Sequence, residues 1–251
     1  MTLYEAIFKR RSVRRYKKEH LPPEFFKNLR KFELGLQPLN SAIPYSVEII
    51  DALSQETKVR GLFRVKAPYY LVFFSEPGEE AEKNAGYLME QLVLYLTEKG
   101  VGTCYQGLAK LPSIPEPDGL KPLMVLAFGY AEGELYRESF KARRLSLKEL
   151  CVFREPVTDE TRLMMQAARL APSAMNGQPW RFMVYQNRIH VFAKKERLPF
   201  SRFTAFDIGI VLCHISLAAE EVWRDISFER REQIAVKEFK NNQYFLSIIF
   251  I

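Results

Sequence analysis

The feature that most constrains the fold of this chain is a pair of proline-bounded loops, one in each half of the sequence. Residues 38–44 lead into Tyr45, and residues 172–179 lead into Trp180. Pro172 lies 134 positions after Pro38, whereas the closing prolines are 135 positions apart, so the first loop is one residue shorter. Each aromatic residue opens a run that alternates like a half-buried strand. The matched loops predict an internal duplication.

Secondary-structure patterns follow the same order in both halves. Thr2 and Glu5 form a capping-box pair that predicts an opening helix, and Pro22-Pro23 predicts the start of a second helix. The other predicted elements are helices at 80–99, 158–170 and 206–221, strands at 46–50, 69–74, 124–128, 181–184, 189–193 and 244–251, and a rigid proline-rich loop at 112–122. Helix, loop, strand, strand, helix, strand therefore occurs twice, which predicts repeats over residues 1–145 and 146–251. The alternative is that any chain of mixed helices and strands repeats coarsely, and the paired loops argue against it.

Composition excludes several classes of protein. The 47% hydrophobic and 27% charged residues are typical of soluble globular proteins, and no apolar run predicts a membrane span. The charged opening argues against a signal peptide. Three cysteines without metal-ligand or redox spacing predict neither a disulfide framework nor a zinc module, and they favour the cytoplasm. The three histidines carry no motif, so we expect no metal site.

The net charge of +7 is confined to the N-terminal segment. Residues 1–31 contain ten basic and three acidic side chains, whereas the rest of the chain balances at 27 of each. A basic segment can indicate nucleic-acid binding, but that function usually needs a wider basic surface with exposed aromatic residues. We therefore expect no nucleic-acid partner.

Part of this charge lies in a motif at the end of the opening helix, residues 9–16, with the sequence Lys-Arg-Arg-Ser-Val-Arg-Arg-Tyr. Guanidinium groups form planar, permanently charged forks that suit phosphate, and a serine hydroxyl can donate beside them. The alternative is a solvated cationic face that complements the helix dipole. The motif alone does not decide between the two.

A second motif surrounds the later proline-bounded loop. Residues 171–182 read Ala-Pro-Ser-Ala-Met-Asn-Gly-Gln-Pro-Trp-Arg-Phe, which places hydroxyl and amide groups on a constrained loop beside a buried strand. Such a loop can hydrogen-bond the edge of a planar heterocycle. The alternative is an ordinary turn with asparagine in the left-handed region.

Together the two motifs resemble the FMN-dependent nitroreductase family. Two further segments agree with it, Gly-Val-Gly-Thr-Cys-Tyr-Gln-Gly at 100–107 and Lys-Ala-Arg-Arg-Leu-Ser-Leu-Lys-Glu-Leu at 141–150. In that family the two motifs come from different subunits of a dimer, whereas here 160 positions separate Ser12 from Pro172 in one chain. The first half keeps the arginine motif but has lost the loop motif, and the second half shows the reverse. The resemblance implies an α+β fold, a nitroreductase-like three-layer α-β-α sandwich, duplicated so that one chain mimics the family dimer and keeps one FMN site.

The resemblance also implies which residues bind the cofactor. Those in the first half would hold the phosphate, the ribityl chain and the pyrimidine edge, with Arg14 stabilising the reduced flavin. The residues implied as FMN ligands are Arg10, Arg11, Ser12, Arg14, Gly102, Thr103, Cys104, Arg143, Arg144, Pro172, Ser173, Met175, Asn176 and Gln178. Gly102, Thr103 and Cys104 would approach the ring through backbone groups, and Arg143 and Arg144 would form a second clamp on the phosphate. The chemistry would lie on the flavin, with no catalytic acid or base from the protein.

By this resemblance the protein would be an oxidoreductase that takes hydride from NAD(P)H and reduces nitroaromatics, quinones or related small acceptors in a ping-pong cycle. A fused chain would work as a monomer. The alternative is a carrier or sensor that binds flavin without robust turnover, since one of two ancestral sites would be lost. Steady-state turnover distinguishes the two functions.

Overall fold

The protein is described by a computed structural model that covers residues 1–54, 59–111, 114–117, 119–195, 200–235, 239 and 241–251. The chain divides into two compact units, Met1–Lys141 and Ala142–Ile251. This division lies four residues before the predicted repeat boundary at 145/146. A compact unit and a duplicated sequence need not end at the same residue, so the boundary of the repeats stays a prediction.

The first unit contains a four-stranded antiparallel sheet and three helices. The helices are α1 (Leu3–Lys9), α2 (Pro23–Leu34) and α3 (Glu79–Glu98), and the strands are β1 (Tyr45–Asp51), β2 (Arg60–Gly61), β3 (Tyr69–Ser75), β4 (Gly102–Tyr105), β5 (Ala109–Lys110) and β6 (Lys121–Gly129). The strand order is β1-β3-β6-β4, with β2 and β5 paired separately. Every residue of β3 is buried, as expected for a central strand covered on both faces.

The second unit contains a five-stranded sheet. Its helices are α4 (Leu147–Leu150), α5 (Asp159–Leu170), α6 (Thr204–Glu221) and α7 (Glu232–Ala235), and its strands are β7 (Cys151–Phe153), β8 (Trp180–Val184), β9 (Arg188–Lys194), β10 (Ile226–Glu229) and β11 (Asn242–Phe250). The strand order is β10-β11-β9-β8-β7. Only β7, at the edge of this sheet, runs parallel to its neighbour, and the other pairs are antiparallel.

The two units share one topology. In chain order α2, β1, β3, α3, β4 and β6 correspond to α5, β8, β9, α6, β10 and β11. The sheet order β1-β3-β6-β4 then becomes β8-β9-β11-β10, and β7 is an added edge strand. The correspondence extends from element order to strand pairing, which supports the predicted duplication more strongly than the sequence pattern does.

Each long helix holds its proline-bounded loop through a side chain at an equivalent position. Asn84 of α3 accepts hydrogen bonds from the backbone N–H groups of Leu39 and Asn40, at 2.9 and 3.2 Å. Asp207 of α6 accepts from the N–H of Ala174 at 3.1 Å through each carboxylate oxygen. Because Asn84 and Asp207 each lie two positions before a glycine of the long helix, the anchor is the same in both units.

The structure confirms the predicted helices and long strands within a few residues. Both hydrogen bonds of the capping box are present between Thr2 and Glu5, and Thr158 caps α5 as expected. Sequence patterns missed the short elements, above all β4, β7 and β10, because three or four residues are too few to show a period. Residues 112, 113 and 118 of the predicted proline-rich loop lie outside the described residues.

The segment Ser201–Glu221, which includes α6, corrects the expectation that no apolar run resembles a membrane span. Its mean hydropathy of 1.5 and its 21 residues would allow it to cross a membrane by length and composition. However, 72% of the tested window is buried inside the protein, as in the core helix of a globular unit. It is the one such helix in the part of the chain that the structure describes.

His190 is a buried histidine within the second sheet. It lies opposite Ser247 across the β9–β11 pair, and its Nδ1 is 2.7 Å from the Ser247 hydroxyl. The Nε of Arg188 donates to Nε2 at 3.3 Å, so the neutral ring carries its proton on Nδ1 and donates to Ser247. Burial, reinforced by Arg188 and Arg231, lowers the pKa of His190 from 6.5 to about 4.

This lowered pKa predicts a loss of stability in mild acid. Between pH 6.5 and 4 the unfolded chain binds a proton at His190 that the folded chain excludes, so the contribution of His190 is complete above pH 6.5 and is lost towards pH 4. We expect the melting temperature of His190→Asn to depend less steeply on pH across this window than that of the wild type. Parallel slopes in thermal denaturation would contradict the assignment.

Candidate functional site

The arginine motif lies against the edge strand β4 of the first unit. Arg10 caps the C-terminus of α1, and its N–H donates to the Ala6 carbonyl. The chain then runs parallel to β4, where Ser12 pairs with Thr103 and the N–H of Val13 donates to the Thr103 carbonyl at 2.8 Å. The fold therefore brings together two predicted groups that are about ninety residues apart in the sequence, the arginine motif and residues 102–104.

Gly102 permits this close approach. A Cβ at this position would lie 2.7 Å from Cγ2 of Val13, which is closer than real Cβ contacts. Gly102 does not have a positive φ, so the requirement for glycine is one of space. Thr103 and Cys104 are buried beside it, and the Thr103 carbonyl is already bonded to Val13.

Arg10 is a buried cation without a matching anion. Only 3% of the residue is exposed, and its Nη2 is a long 3.4 Å from the Ser12 hydroxyl. Its Nε is buried and has no hydrogen-bond partner. A guanidinium has five N–H donors, and buried donors are normally satisfied. By contrast, Arg11 forms an ion pair with Glu134 at 2.9 Å, and Arg14 is exposed.

Arg137 is a second cation at this place, and sequence reasoning missed it. Its backbone N–H donates to the Lys9 carbonyl at 2.8 Å, which fixes it at the end of α1. Its Nε is also buried without a partner. Burial and the nearby charges of Arg10 and Arg11 lower the pKa of Arg137. No motif surrounds it in the sequence, so only its position in the fold reveals it.

We call Arg10, Arg11 and Arg137 the arginine cluster. Among the described residues, neither Arg10 nor Arg137 forms an ion pair with a carboxylate, although Lys9 and Arg11 beside them do. Like charges held together in a partly dry environment repel one another. A dianion such as a phosphate monoester would satisfy the donors and offset the repulsion.

The Cys104 thiol shows no sign of activation. Burial raises its pKa, although the positive charges of Arg14 and Arg10 oppose this shift. All three cysteines are buried free thiols, and burial alone raises the pKa of Cys151 to about 12. A protonated, buried thiol is unreactive, so Cys104 fits a role through its backbone.

The loop at residues 172–179 in the second unit is held in a strained conformation. Met175, Asn176 and Gln178 have positive φ values of 48°, 59° and 49°. Each costs about 1–3 kcal/mol in residues other than glycine, so the surrounding contacts must enforce the conformation. Asp207 holds the Ala174 N–H, and the Ser173 hydroxyl accepts from the Gln178 N–H at 2.9 Å.

The two residues predicted as a phosphate clamp, Arg143 and Arg144, also support this loop. Nη1 of Arg144 donates to Oδ1 of Asn176 at 2.5 Å, and Nη2 donates to the Leu170 carbonyl at 3.3 Å. The amide nitrogen of Asn176 donates to the Arg143 carbonyl at 3.0 Å. Arg143 therefore holds the loop through its backbone carbonyl, and its side chain is exposed. Arg144 holds the loop through its guanidinium group.

Gln178 closes the same network. Its Oε1 accepts from the N–H of Leu145 at 2.8 Å, and its Nε2 donates to the Asn176 carbonyl at 3.1 Å. Pro172 is buried, whereas Met175 is 66% exposed. The amides of Asn176 and Gln178, expected at the flavin edge, are thus bonded within the protein, and the loop presents Met175 to the outside.

Apart from the predicted residues, the described part of the chain contains a cavity but no candidate metal site. A cavity of about 310 Å³ in the second unit is lined by Lys148, Arg181 and Lys194 among others, and none of the predicted site residues is among its described lining residues. In the described ranges of the chain, no three His, Cys, Asp or Glu side chains form a group that could hold a metal ion.

Comparison with known proteins identifies the family. A family model described as "Putative TM nitroreductase" matches residues 2–219, so the chain belongs to this family of nitroreductases, a class of oxidoreductase. No curated protein sequence matches the chain.

Three solved structures are similar to this chain to different degrees. A nitroreductase from Thermotoga maritima MSB8 matches with a TM-score of 0.66 and 22% identity, over 100% of this chain and 94% of that chain. A nitroreductase family protein from Clostridium difficile 630 matches at 18% identity over 59% of this chain and 96% of that chain, with a TM-score of 0.48. The FMN-dependent nitroreductase NfnB from Mycobacterium smegmatis, solved with NADPH, matches at 19% over 59% and 96%, with a TM-score of 0.44. The Thermotoga likeness confirms the predicted nitroreductase-like α+β fold.

The close approach at Gly102 predicts a steric penalty. Gly102→Ala should destabilise the protein by about 1–3 kcal/mol, because the new Cβ forces Val13 to move in a packed region. Gly35→Ala is the matched control, since its Cβ would meet its nearest neighbour at an ordinary 3.5 Å. Chemical denaturation compares the two, and equal free energies of unfolding would contradict the argument.

The anchor at Asp207 predicts a cost from an unsatisfied donor. Asp207→Ala leaves the Ala174 N–H without its acceptor and should lower the free energy of unfolding by about 1–3 kcal/mol. Asp207→Asn keeps an acceptor oxygen and should lose less. If both variants denature at the wild-type urea concentration, the carboxylate is not the anchor.

Proposed function

We propose that the protein is an FMN-dependent NAD(P)H oxidoreductase that reduces small acceptors of the nitroaromatic or quinone type. The observation that carries this proposal is the buried guanidinium of Arg10, whose Nε has no hydrogen-bond partner among the described residues, inside the arginine motif that resembles the family's FMN site. A phosphate group of FMN fits the chemistry of these donors. Membership of the nitroreductase family supports the same cofactor.

The residues present fit the cofactor in the first unit. Arg10, Arg11 and Ser12 would bind the phosphate end, and the buried strand residues 102–104 would limit the space beside it. The charge of Arg14 acts on Cys104, which supports a position beside β4 where a cation would stabilise negative charge on the reduced cofactor. Bound FMN would supply the hydride-accepting and hydride-donating chemistry that the protein side chains lack.

The loop of the second unit would contribute a rigid surface. Strained backbone held by Asp207, Arg144 and Gln178 is expected where a ligand needs fixed geometry. Because the amides of Asn176 and Gln178 bond to protein groups, we assign them to positioning the loop, and Ser173 and Met175 remain the candidates for contact with the ring. We propose that each chain binds one FMN.

The cellular compartment and the oligomeric state of the protein are also proposals. Three free, buried cysteines fit a reducing compartment such as the cytoplasm. Two units of the same topology in one chain fit a monomer that replaces the family dimer.

Absorbance spectroscopy tests the proposal directly. The purified protein should be yellow, or become so with added FMN, and should release one FMN per chain. Arg10→Ala should weaken FMN binding, whereas Arg15→Ala, which removes an exposed charge five residues away, should not. A colourless protein that ignores FMN would overturn the proposal, and two FMN per chain would overturn the single site.

Turnover distinguishes the enzyme from a carrier. With NADH or NADPH as donor, a quinone or nitroarene should be reduced at a rate that saturates with both substrates. A yellow protein with no measurable turnover would favour the carrier or sensor function over the enzyme.

A further inference from the structure

Arg137 is a positively charged residue that neither the sequence motifs nor the family resemblance assigns to the site. It lies in the segment that follows β6, and three contacts hold that segment against the end of α1. The Arg137 N–H donates to the Lys9 carbonyl at 2.8 Å, Lys9 pairs with Glu138 at 2.8 Å, and Arg11 pairs with Glu134 at 2.9 Å. Backbone and ion pairs together fix where the Arg137 side chain begins.

Two carboxylates of this segment are used by other cations. Glu138 and Glu134 are exposed and pair with Lys9 and Arg11. Arg137 lies between them in sequence, yet its side chain forms no hydrogen bond or ion pair with any residue that the structure describes. Its Nε is also buried.

Arg10, which lies close to Arg137, also has a buried Nε without a partner among the described residues. Its guanidinium is almost fully buried and makes one long contact, to Ser12. Two adjacent cations with buried, unsatisfied donors are unfavourable in an isolated protein, because the donors are desolvated and the charges repel. The arrangement becomes favourable when an anion with several acceptor oxygens accepts from both.

Arg144 differs from both of these arginines in its two terminal nitrogens, which donate to protein acceptors. Its guanidinium donates to Asn176 and Leu170, so its bonding fixes the loop at residues 172–179. A group committed to two protein acceptors has less capacity for a phosphate. The resemblance had implied a phosphate clamp at Arg144, and the bonding favours a different division of roles.

We propose that Arg137 is a phosphate-binding residue and that it forms the anion site of the first unit together with Arg10. The positive charge of Arg11 strengthens this site. Arg144 is instead a positioning residue for the loop at residues 172–179. The identification of the anion as the phosphate of FMN rests on the proposed function. The anion site itself follows from the buried Nε atoms of Arg10 and Arg137, which have no hydrogen-bond partner among the described residues. Its consequence for specificity is preference for FMN over riboflavin, which lacks the phosphate.

Inorganic phosphate tests the anion site without any flavin. The melting temperature of flavin-free protein should rise with phosphate at constant ionic strength, because phosphate binds the folded state alone. Arg137→Ala should abolish most of this rise, whereas Arg15→Ala, with the same change of charge at an exposed position, should keep it. In the absence of phosphate Arg137→Ala should melt no lower than wild type, since a repelled, desolvated cation is removed.

Flavin binding tests the division of roles. Arg137→Ala should weaken FMN at least tenfold, as expected for loss of a charge-assisted hydrogen bond, and should change riboflavin affinity less than twofold. Arg137→Lys should recover part of the FMN affinity. Arg144→Ala should weaken FMN and riboflavin by the same factor and lower the melting temperature, because the loop loses its support.

The two proposals fail separately in these experiments. If wild type binds neither flavin but phosphate stabilises it through Arg137, the FMN function is wrong and the anion site stands. If Arg137→Ala matches Arg15→Ala in both the phosphate response and the FMN-to-riboflavin ratio, Arg137 is not a ligand. If Arg144→Ala changes that ratio, it is a phosphate ligand after all, and the division of roles is overturned.

Discussion

The bond between a buried side chain of the long helix and the proline-bounded loop organises each unit. Backbone N–H groups of a loop that packs against a helix need acceptors, and the long helix supplies one at the same position twice, as Asn84 and as Asp207. The loop leads directly into the following strand, β1 or β8. The two sheets also share the same order of corresponding strands.

The second constraint is electrostatic and concerns two arginines, Arg10 and Arg137, whose placement is not explained by stability alone. Surface cations in the N-terminal segment pair with carboxylates or remain in water, at little cost. Arg10 and Arg137 do neither, since each buries an Nε without a partner. In the anion site that we propose, the excess of charge at residues 1–31 supplies one part, Arg10, and the other part, Arg137, comes from a segment more than a hundred residues later.

The sequence predicted the long elements well because their signals are local. The capping pair at Thr2, the cap at Thr158 and the apolar run of β3 each depend on neighbours within a few residues. The roles of Asn176 and Gln178 were not predictable in this way, because their partners are backbone groups at 143 and 145, about 33 positions away. Arg137 was missed for the same reason, since nothing in its own segment distinguishes it from a surface arginine. The extent of the two repeats remains a prediction.

Backbone strain distinguishes the two copies and indicates why one site per chain is expected. In the second unit three residues of the loop have positive φ, whereas no residue of the equivalent loop, residues 38–44, does. That first loop is bonded by the amide oxygen of Asn84 without such strain. Strained backbone is often found at functional sites, because the surrounding contacts must enforce it. In the second half, the position of the arginine motif is taken by residues 151–155, which lack its pattern of arginines and serine. Strain in one loop and its absence from the other are what the proposed single FMN per chain predicts.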